Sequence, residues 1–366
     1  MGSDAAAVST VREAARMTWE ESKRVWGIGM PIAIAGLSIY AVGSVTTIFV
    51  GHLGNLPLAA ASIGLSVFAI FSLGFFLGMG SALETLCGQA FGAGQVSMLG
   101  VYLQRSWIIL AVAALLMDGW RGWSMAAFND MWAFVRLSLE SAVMICLEIW
   151  YLSTITVLTG NLQDAQIAVD SLGVCMNING WENMIFIGIN AAISVRVSNE
   201  LGAGRPRAAM HAVIVIIAES LLIGLLCMAL VLIFRDNFAI IYTTDLELQH
   251  AVSKIAGLLG LTMVLNSVQP VVSGVAVGGG WQGLVAYINL GCYYVLGLPL
   301  GYLLGYKFNY GVGGIWAGML CGIALQTLIL LFIVWKTDWN AEAALASSRV
   351  QKWGGTDGTK PLLEDN

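Results

Sequence analysis

The sequence predicts an all-α polytopic membrane protein made of two copies of one helical unit, with the first copy cut short. Three observations carry this. The chain of 366 residues is 58% hydrophobic and 11% charged, with mean hydropathy +0.80, which is too little polar surface for a soluble globule of that length. Apolar runs long enough to cross a bilayer as helices, about 20 residues, recur along most of it. The chain also matches itself: a shift of 110 residues lays Gly92-Ala93-Gly94 on Gly202-Ala203-Gly204, one of 109 lays Leu58–Gly64 on Ile167–Gly173, and one of 106 lays Trp26 on Trp132. Small drifts in the shift are what loop insertions produce in a duplicated membrane protein.

Composition also excludes classes. A net charge of −5, carried mostly by tails and loops, argues against nucleic-acid binding. Six cysteines stand singly in apolar sequence, with no CxxC pair or Cys/His cluster, so neither a disulfide nor a metal is indicated. No HExxH, GxSxG or P-loop pattern is present, and the reading is not an enzyme.

The elements follow in order. Residues 1–24 form a cytoplasmic, solvated or interfacial N-terminal tail, oriented by Arg12, Arg16, Lys23 and Arg24. The first lobe, 25–117, holds runs at Val25–Val50, Leu58 to about Leu83 and Leu99–Met117. The third run is weak, because Gln104 and Arg105 sit near its start and Asp118 ends it, leaving eleven uninterrupted apolar residues. A connecting segment follows at 118–132. The second lobe, 133–335, carries six spans, at about 133–159, 166–194, 210–234, 250–278, 283–305 and 312–335. The C-terminal tail, 336–366, is polar and expected to be disordered. Copy one is thus about three helices shorter than copy two. Charge gives an independent sign of this: Arg121, Arg136, the loop with Arg196, Arg205 and Arg207, and the tail all prefer the cytoplasm, which three spans before Arg121 cannot satisfy. Trp107–Met117 is therefore expected to lie re-entrant or interfacial.

The motifs "ALETLCGQAFGAGQ", "YLQRSW", "CLEIWY", "CMNINGWE", "RVSNELGAGRPRAA", "NSVQPVVSGVAVGGGWQ" and "GIWAGMLCGIALQTLILL" resemble the plant DETOXIFICATION branch of the multidrug and toxic compound extrusion (MATE) antiporters, from about Ser22 to Asn340. The resemblance implies two six-helix lobes working by alternating access. It implies export or vacuolar sequestration of small organic solutes, cationic or flavonoid- and alkaloid-like, against a proton or other cation gradient and without a cofactor. The chain is expected to be a monomer in the lipid bilayer of the vacuole or the plasma membrane. Relative to that pattern, the helices matching the fourth to sixth are absent.

An antiporter of this kind needs a group that changes protonation inside the membrane, so acids within spans are the first candidates. Glu148 leads, and the resemblance assigns its position a coupling role; a carboxyl hydrogen-bonded inside the bundle for structural reasons is the competing reading. Asp170 is the second proton-coupling candidate, or else a cap at the start of its helix. Asn177 lies seven residues on and so nearly on the same face. Asn177, Trp181 and Glu182 are expected to line the solute cavity, with Trp181 offering an aromatic face to flat or cationic solutes. Tyr151 is a further cavity candidate. Asn266, Ser267 and Gln269-Pro270 mark a polar break in the span at 250–278, and Asn266 and Gln269 join the cavity set. Several members of the family carry Asp where Asn266 stands, and an amide cannot titrate. Copy one has Val42 opposite Glu148 and Ala61 opposite Asp170, which confines ion chemistry to the second lobe. The glycines of both GAG loops are expected to provide positive φ and close helix approach at cytoplasmic turns. Beside the exporter stand two other readings, a truncated non-transporting or regulatory product and a passive anion or solute conduit.

Overall fold

The computed structural model describes residues 11–51, 83–114, 131–162, 165–242 and 245–352, and in them every regular element is a helix. Residues 52–82 and 115–130 lie outside the described residues, and with them nearly all of the second predicted span, Leu58 to about Leu83, and most of the connecting segment 118–132. So do the two ends of the chain.

Helix α1, Val11–Gly51, runs without interruption through the expected boundary at residue 24. The charged lead-in is part of the first membrane helix because its acid has a partner: Glu21 is buried and grips Arg196 of a later helix through Nε–Oε1 at 2.5 Å and Nη2–Oε2 at 2.9 Å. A charge pair of this geometry is stable away from water where a lone charge is not. Pro31 lies inside α1.

A helix described over 83–92, α2, leads to the first GAG turn and to α3, Val96–Ala114. The helix α3 is continuous from Val96, takes in Gln104 and Arg105, and does not turn back before Ala114. Its 19 residues measure about 28 Å at the α-helical rise.

The six predicted spans of the second lobe are all present, with ends a few residues from those expected. They are α4 (Met131–Thr159), α5 (Ala165–Gly202), α6 (Pro206–Ile233) and α7 (Leu246–Gly279), then a helix opening with α8 (Gln282–Asn289), and α10 (Gly311–Lys336). Between α8 and α10 the fifth span is not a plain α-helix. It passes through a π-helical stretch at Leu290–Gly297, a short α9 at Leu298–Tyr302 and a second π stretch at Leu303–Lys307. Among the described residues, six helices are long and apolar enough to cross a membrane: α1 and five of these second-lobe helices, α5 not being among them.

The expected polar break at Asn266–Pro270 does not interrupt α7, which stays helical through Pro270. The Pro270 carbonyl is taken up by Asn190 Nδ2 at 2.5 Å, so a neighbouring helix satisfies this backbone group. The end of α7 is set by Gly280 in the left-handed region (φ 80°).

The polar tail is corrected as well. Residues Trp339–Lys352 form a helix, α11, docked on α5 and α6. Four buried residues at helical spacing, Trp339, Ala343, Ala346 and Val350, make its inner face. Asp338 Oδ1 accepts from the amides of Asn340 (3.0 Å) and Ala341 (3.3 Å) and so caps its start. Arg349 Nη1 donates to the Gly279 carbonyl at the end of α7, 2.9 Å away.

Candidate functional site

The two GAG turns are one structure. Offset by 110 residues, they repeat the same backbone bonds: Ala93, Gly94 and Gln95 donate to Gln89, Phe91 and Ala90, just as Ala203, Gly204 and Arg205 donate to Asn199, Leu201 and Glu200. Gly94 (φ 75°) and Gly204 (φ 70°) take the left-handed conformation that a side chain resists. The turns also meet each other. A Cβ on Gly92 would fall 1.9 Å from the Asn199 carbonyl oxygen, and one on Gly202 would fall 2.0 Å from that of Gln89. Since Gln89 and Asn199, like Gly92 and Gly202, are equivalent under the repeat, the contact is a local two-fold crossing of backbones that only glycine permits.

Around this crossing the halves are further bonded. Thr85 Oγ1 donates to the Val277 carbonyl (2.6 Å) and accepts from Gln282 Nε2 (2.9 Å). Arg196 joins Glu21 to Glu200, whose other oxygen pairs with Arg205 Nε at 2.8 Å. Trp26 Nε1 donates to Glu219 Oε2 at 3.2 Å, which gives the acid in mid-α6 a partner on α1. On its far stretch α1 continues along α5: Gly188 leaves room for Gly29 and Ala33, and Gly180 for the Tyr40 hydroxyl. At that end Tyr40 donates to the Asn177 carbonyl (3.3 Å), Tyr242 donates to Asn177 Oδ1 (3.1 Å), and Tyr40 meets Trp181 edge-on with centroids 5.2 Å apart. Trp181 is 38% exposed, so its indole is open for contact.

The predicted acids separate. Glu148, half-buried in mid-α4, accepts from Gln269 Nε2 of α7 at 3.1 Å, and the same nitrogen lies 3.2 Å from Ser273 Oγ. Tyr293, on the first π-helical stretch, is buried within electrostatic reach of Glu148. A π turn adds a residue to the helical circuit, and here it occurs at the stretch that brings Tyr293 to the acid. The sequence reading missed Tyr293; the Gly-rich run ending in Pro299 was the available signal of irregular helix. Asp170 is exposed near the start of α5, on the far side from the GAG turns, and is not part of this cluster. Tyr151 is packing and not a cavity wall: it is 1% exposed, stacked on Tyr293 with centroids 4.5 Å apart, and its hydroxyl donates to the Met319 carbonyl at 3.1 Å. Asn266 Nδ2 donates to Asn179 Oδ1 (3.1 Å), which ties α7 to α5. Glu182 is enclosed at 5% exposure.

Comparison with known proteins settles the family. The MatE family model matches residues 31–117 and 141–303, well over half of the chain. The chain belongs to the MATE family. It is 49% identical to Protein DETOXIFICATION 35 of Arabidopsis thaliana, in an alignment covering 94% of this chain and 93% of that one, and 47% identical to Protein DETOXIFICATION 34 of the same plant over 95% and 84%. Its fold matches the crystal structure of the eukaryotic MATE transporter AtDTX14 with a TM-score of 0.79 at 25% identity, covering 91% of this chain and 99% of that one. A mutant form of the Vibrio cholerae MATE transporter VcmN shares the fold at TM-score 0.71 and 15% identity, over 88% and 99%. Proteins of the MATE family are transporters, so this is an integral membrane protein of transporter type. The DETOXIFICATION 35 alignment spans 454 positions, and 94% of 366 residues is about 344, so about 110 aligned positions have no residue of this chain opposite them. That deficit equals one repeat shift.

Proposed function

We propose that this MATE chain exports organic solutes in exchange for protons, with Glu148 as the coupling acid. One observation carries the reading: a half-buried carboxyl in mid-span, paired with no Lys or Arg among the described residues, is held by the Gln269 amide, which also bonds Ser273, with Tyr293 of another helix within electrostatic reach. Such an acid is costly in a membrane interior unless gain and loss of its proton is its use. Solutes with flat or cationic character are favoured by the Tyr40–Trp181 pair at the far end of the α1–α5 seam. The closed GAG crossing represents one of the two states that alternating access needs, with the basic face sealed.

The test is uptake of a cationic dye by vesicles containing the purified chain under an imposed pH gradient. Gradient-driven uptake is expected, falling to background in Glu148→Gln. Uptake equal in both forms would instead mark a passive conduit, and no uptake in either would mark a non-transporting product.

The roughly 110 missing positions support the view that the first lobe lacks about three helices, between α3 and α4. Both helices leave the same face: Leu137 of α4 packs against the cluster of Leu86, Ala90, Met98 and Tyr102 on α2 and α3, and Glu140 lies beside Gly283 next to the Thr85–Gln282 bond. Two parallel helices in sequence reproduce the parity problem read from the charges. Cysteines introduced just before α4, within 126–130, are expected to react with an impermeant maleimide from the cytoplasmic side; reaction from the opposite side alone would contradict that placement.

A further inference from the structure

Glu182 stands one helix away from the Glu148 cluster and takes no part in it. Only 5% of the residue is exposed, and neither carboxyl oxygen finds a hydrogen-bond donor among the described residues. Every other acid of the second-lobe interior described above has a partner: Glu148 has Gln269, Glu219 has Trp26, and Glu200 has Arg196 and Arg205. The titratable group that faces Glu182 is the Cys227 thiol of α6, and no Lys, Arg or His of α1, α6 or α7 pairs with it among the described residues. A carboxylate in that position would be an uncompensated buried charge, whereas a carboxylic acid there is tolerable. Structurally the acid adds nothing that Gln or Met would not, since among the described residues it makes no bond that positions a neighbour.

Its place on α5 supplies the reason for an acid. The two residues before it, Gly180 and Trp181, are those that receive Tyr40 of α1, while Met184, two residues after it, packs near Gly36 of the same helix. Glu182 thus lies in the turn of α5 on which α1 bears, on the side turned to α6. Displacement of α1 during alternation is transmitted to this turn directly.

We propose that Glu182 is a second proton-carrying carboxyl of this chain, separate from Glu148, which gives up and regains a proton in each transport cycle as α5 shifts against α6. The proton passes from a carboxyl oxygen to a water molecule admitted by that shift, leaving the carboxylate, and a hydronium ion from the opposite side restores the acid. No other reactant is needed. The inference rests on the exporter reading above and adds a second coupled proton to it.

The experiment compares wild type, Glu182→Gln, Glu182→Asp and Glu148→Gln in two measurements. Infrared spectra of the purified chain over a pH series should show a protonated-carboxyl band that disappears on raising pH and loses a component in Glu182→Gln. In vesicles, the steady-state accumulation of a cationic dye against the pH gradient gives the protons exchanged per dye. That number is expected to fall by half in Glu182→Gln and to be retained in Glu182→Asp, while Glu148→Gln abolishes accumulation. An unchanged number in Glu182→Gln, or a Glu182 band indifferent to pH, overturns the proposal and leaves the role of Glu148 intact. If Glu148→Gln accumulates dye as well as wild type, the exporter reading falls, and this inference falls with it.

Discussion

At the scale of single residues, the proposed coupling site depends on one amide. Gln269 donates to Glu148 and sits by Ser273 and Tyr293, so it sets which oxygen of the acid is held and where. Gln269→Leu keeps the volume and removes the donor. It should cost about 1 kcal/mol of stability, the ordinary worth of a hydrogen bond, yet reduce gradient-driven dye uptake far more than that loss would explain. Thermal unfolding in detergent and vesicle uptake, measured on the same preparation, check the two halves of this expectation. Glu148 was legible in the sequence because a lone acid in an apolar run has few reasons to be there. Tyr293 was not, because a tyrosine in a span is ambiguous until the π turn that directs it is known. Asp170 illustrates the opposite case: its spacing to Asn177 placed both on one face, but helix phase alone says nothing about depth, and Asp170 is exposed.

At the scale of elements, the GAG crossing and the docked tail make separable predictions. Gly202→Ala puts a methyl group into the Gln89 backbone and should destabilise the closed face by about 3 kcal/mol or prevent it from forming. Gly204→Ala meets no neighbouring atom within 4 Å and should cost only about 1 kcal/mol, for its positive φ. Dye uptake lost in Gly202→Ala and largely kept in Gly204→Ala is the expected pattern; equal loss in both would remove the crossing as the seal. Trp339 anchors α11 beside Trp281, centroids 6.1 Å apart, and Trp339→Ala should lower the unfolding free energy by about 3 kcal/mol. A temperature scan of that variant checks it. The six spans of the second lobe could be read because each is a long apolar run bounded by turn residues. Helix α11 could not, since its inner face has only one large residue and three small ones in a polar background, and the continuity of α1 through Glu21 depended on an Arg 175 residues away.

At the scale of the whole molecule, the internal repeat carried the most information. The matching GAG triplets predicted a register, and the structure turns that register into a two-fold crossing at which both copies meet. The same register is the ground for the proposed deficit in copy one, and the alignment with DETOXIFICATION 35 leaves a shortfall of similar size. Among the described residues, this chain has the helices α4 to α10 with their acids, and before them α1, which lies along α5, and α2 and α3 joined by the first GAG turn. Exchange of solute for proton at Glu148 is the central claim, and it predicts that the two compete for one protein. Purified chain in weak buffer, with a pH indicator present, should therefore release protons when a cationic dye is added, and Glu148→Gln should release markedly fewer. No release from wild type, or the same release from both, would contradict it.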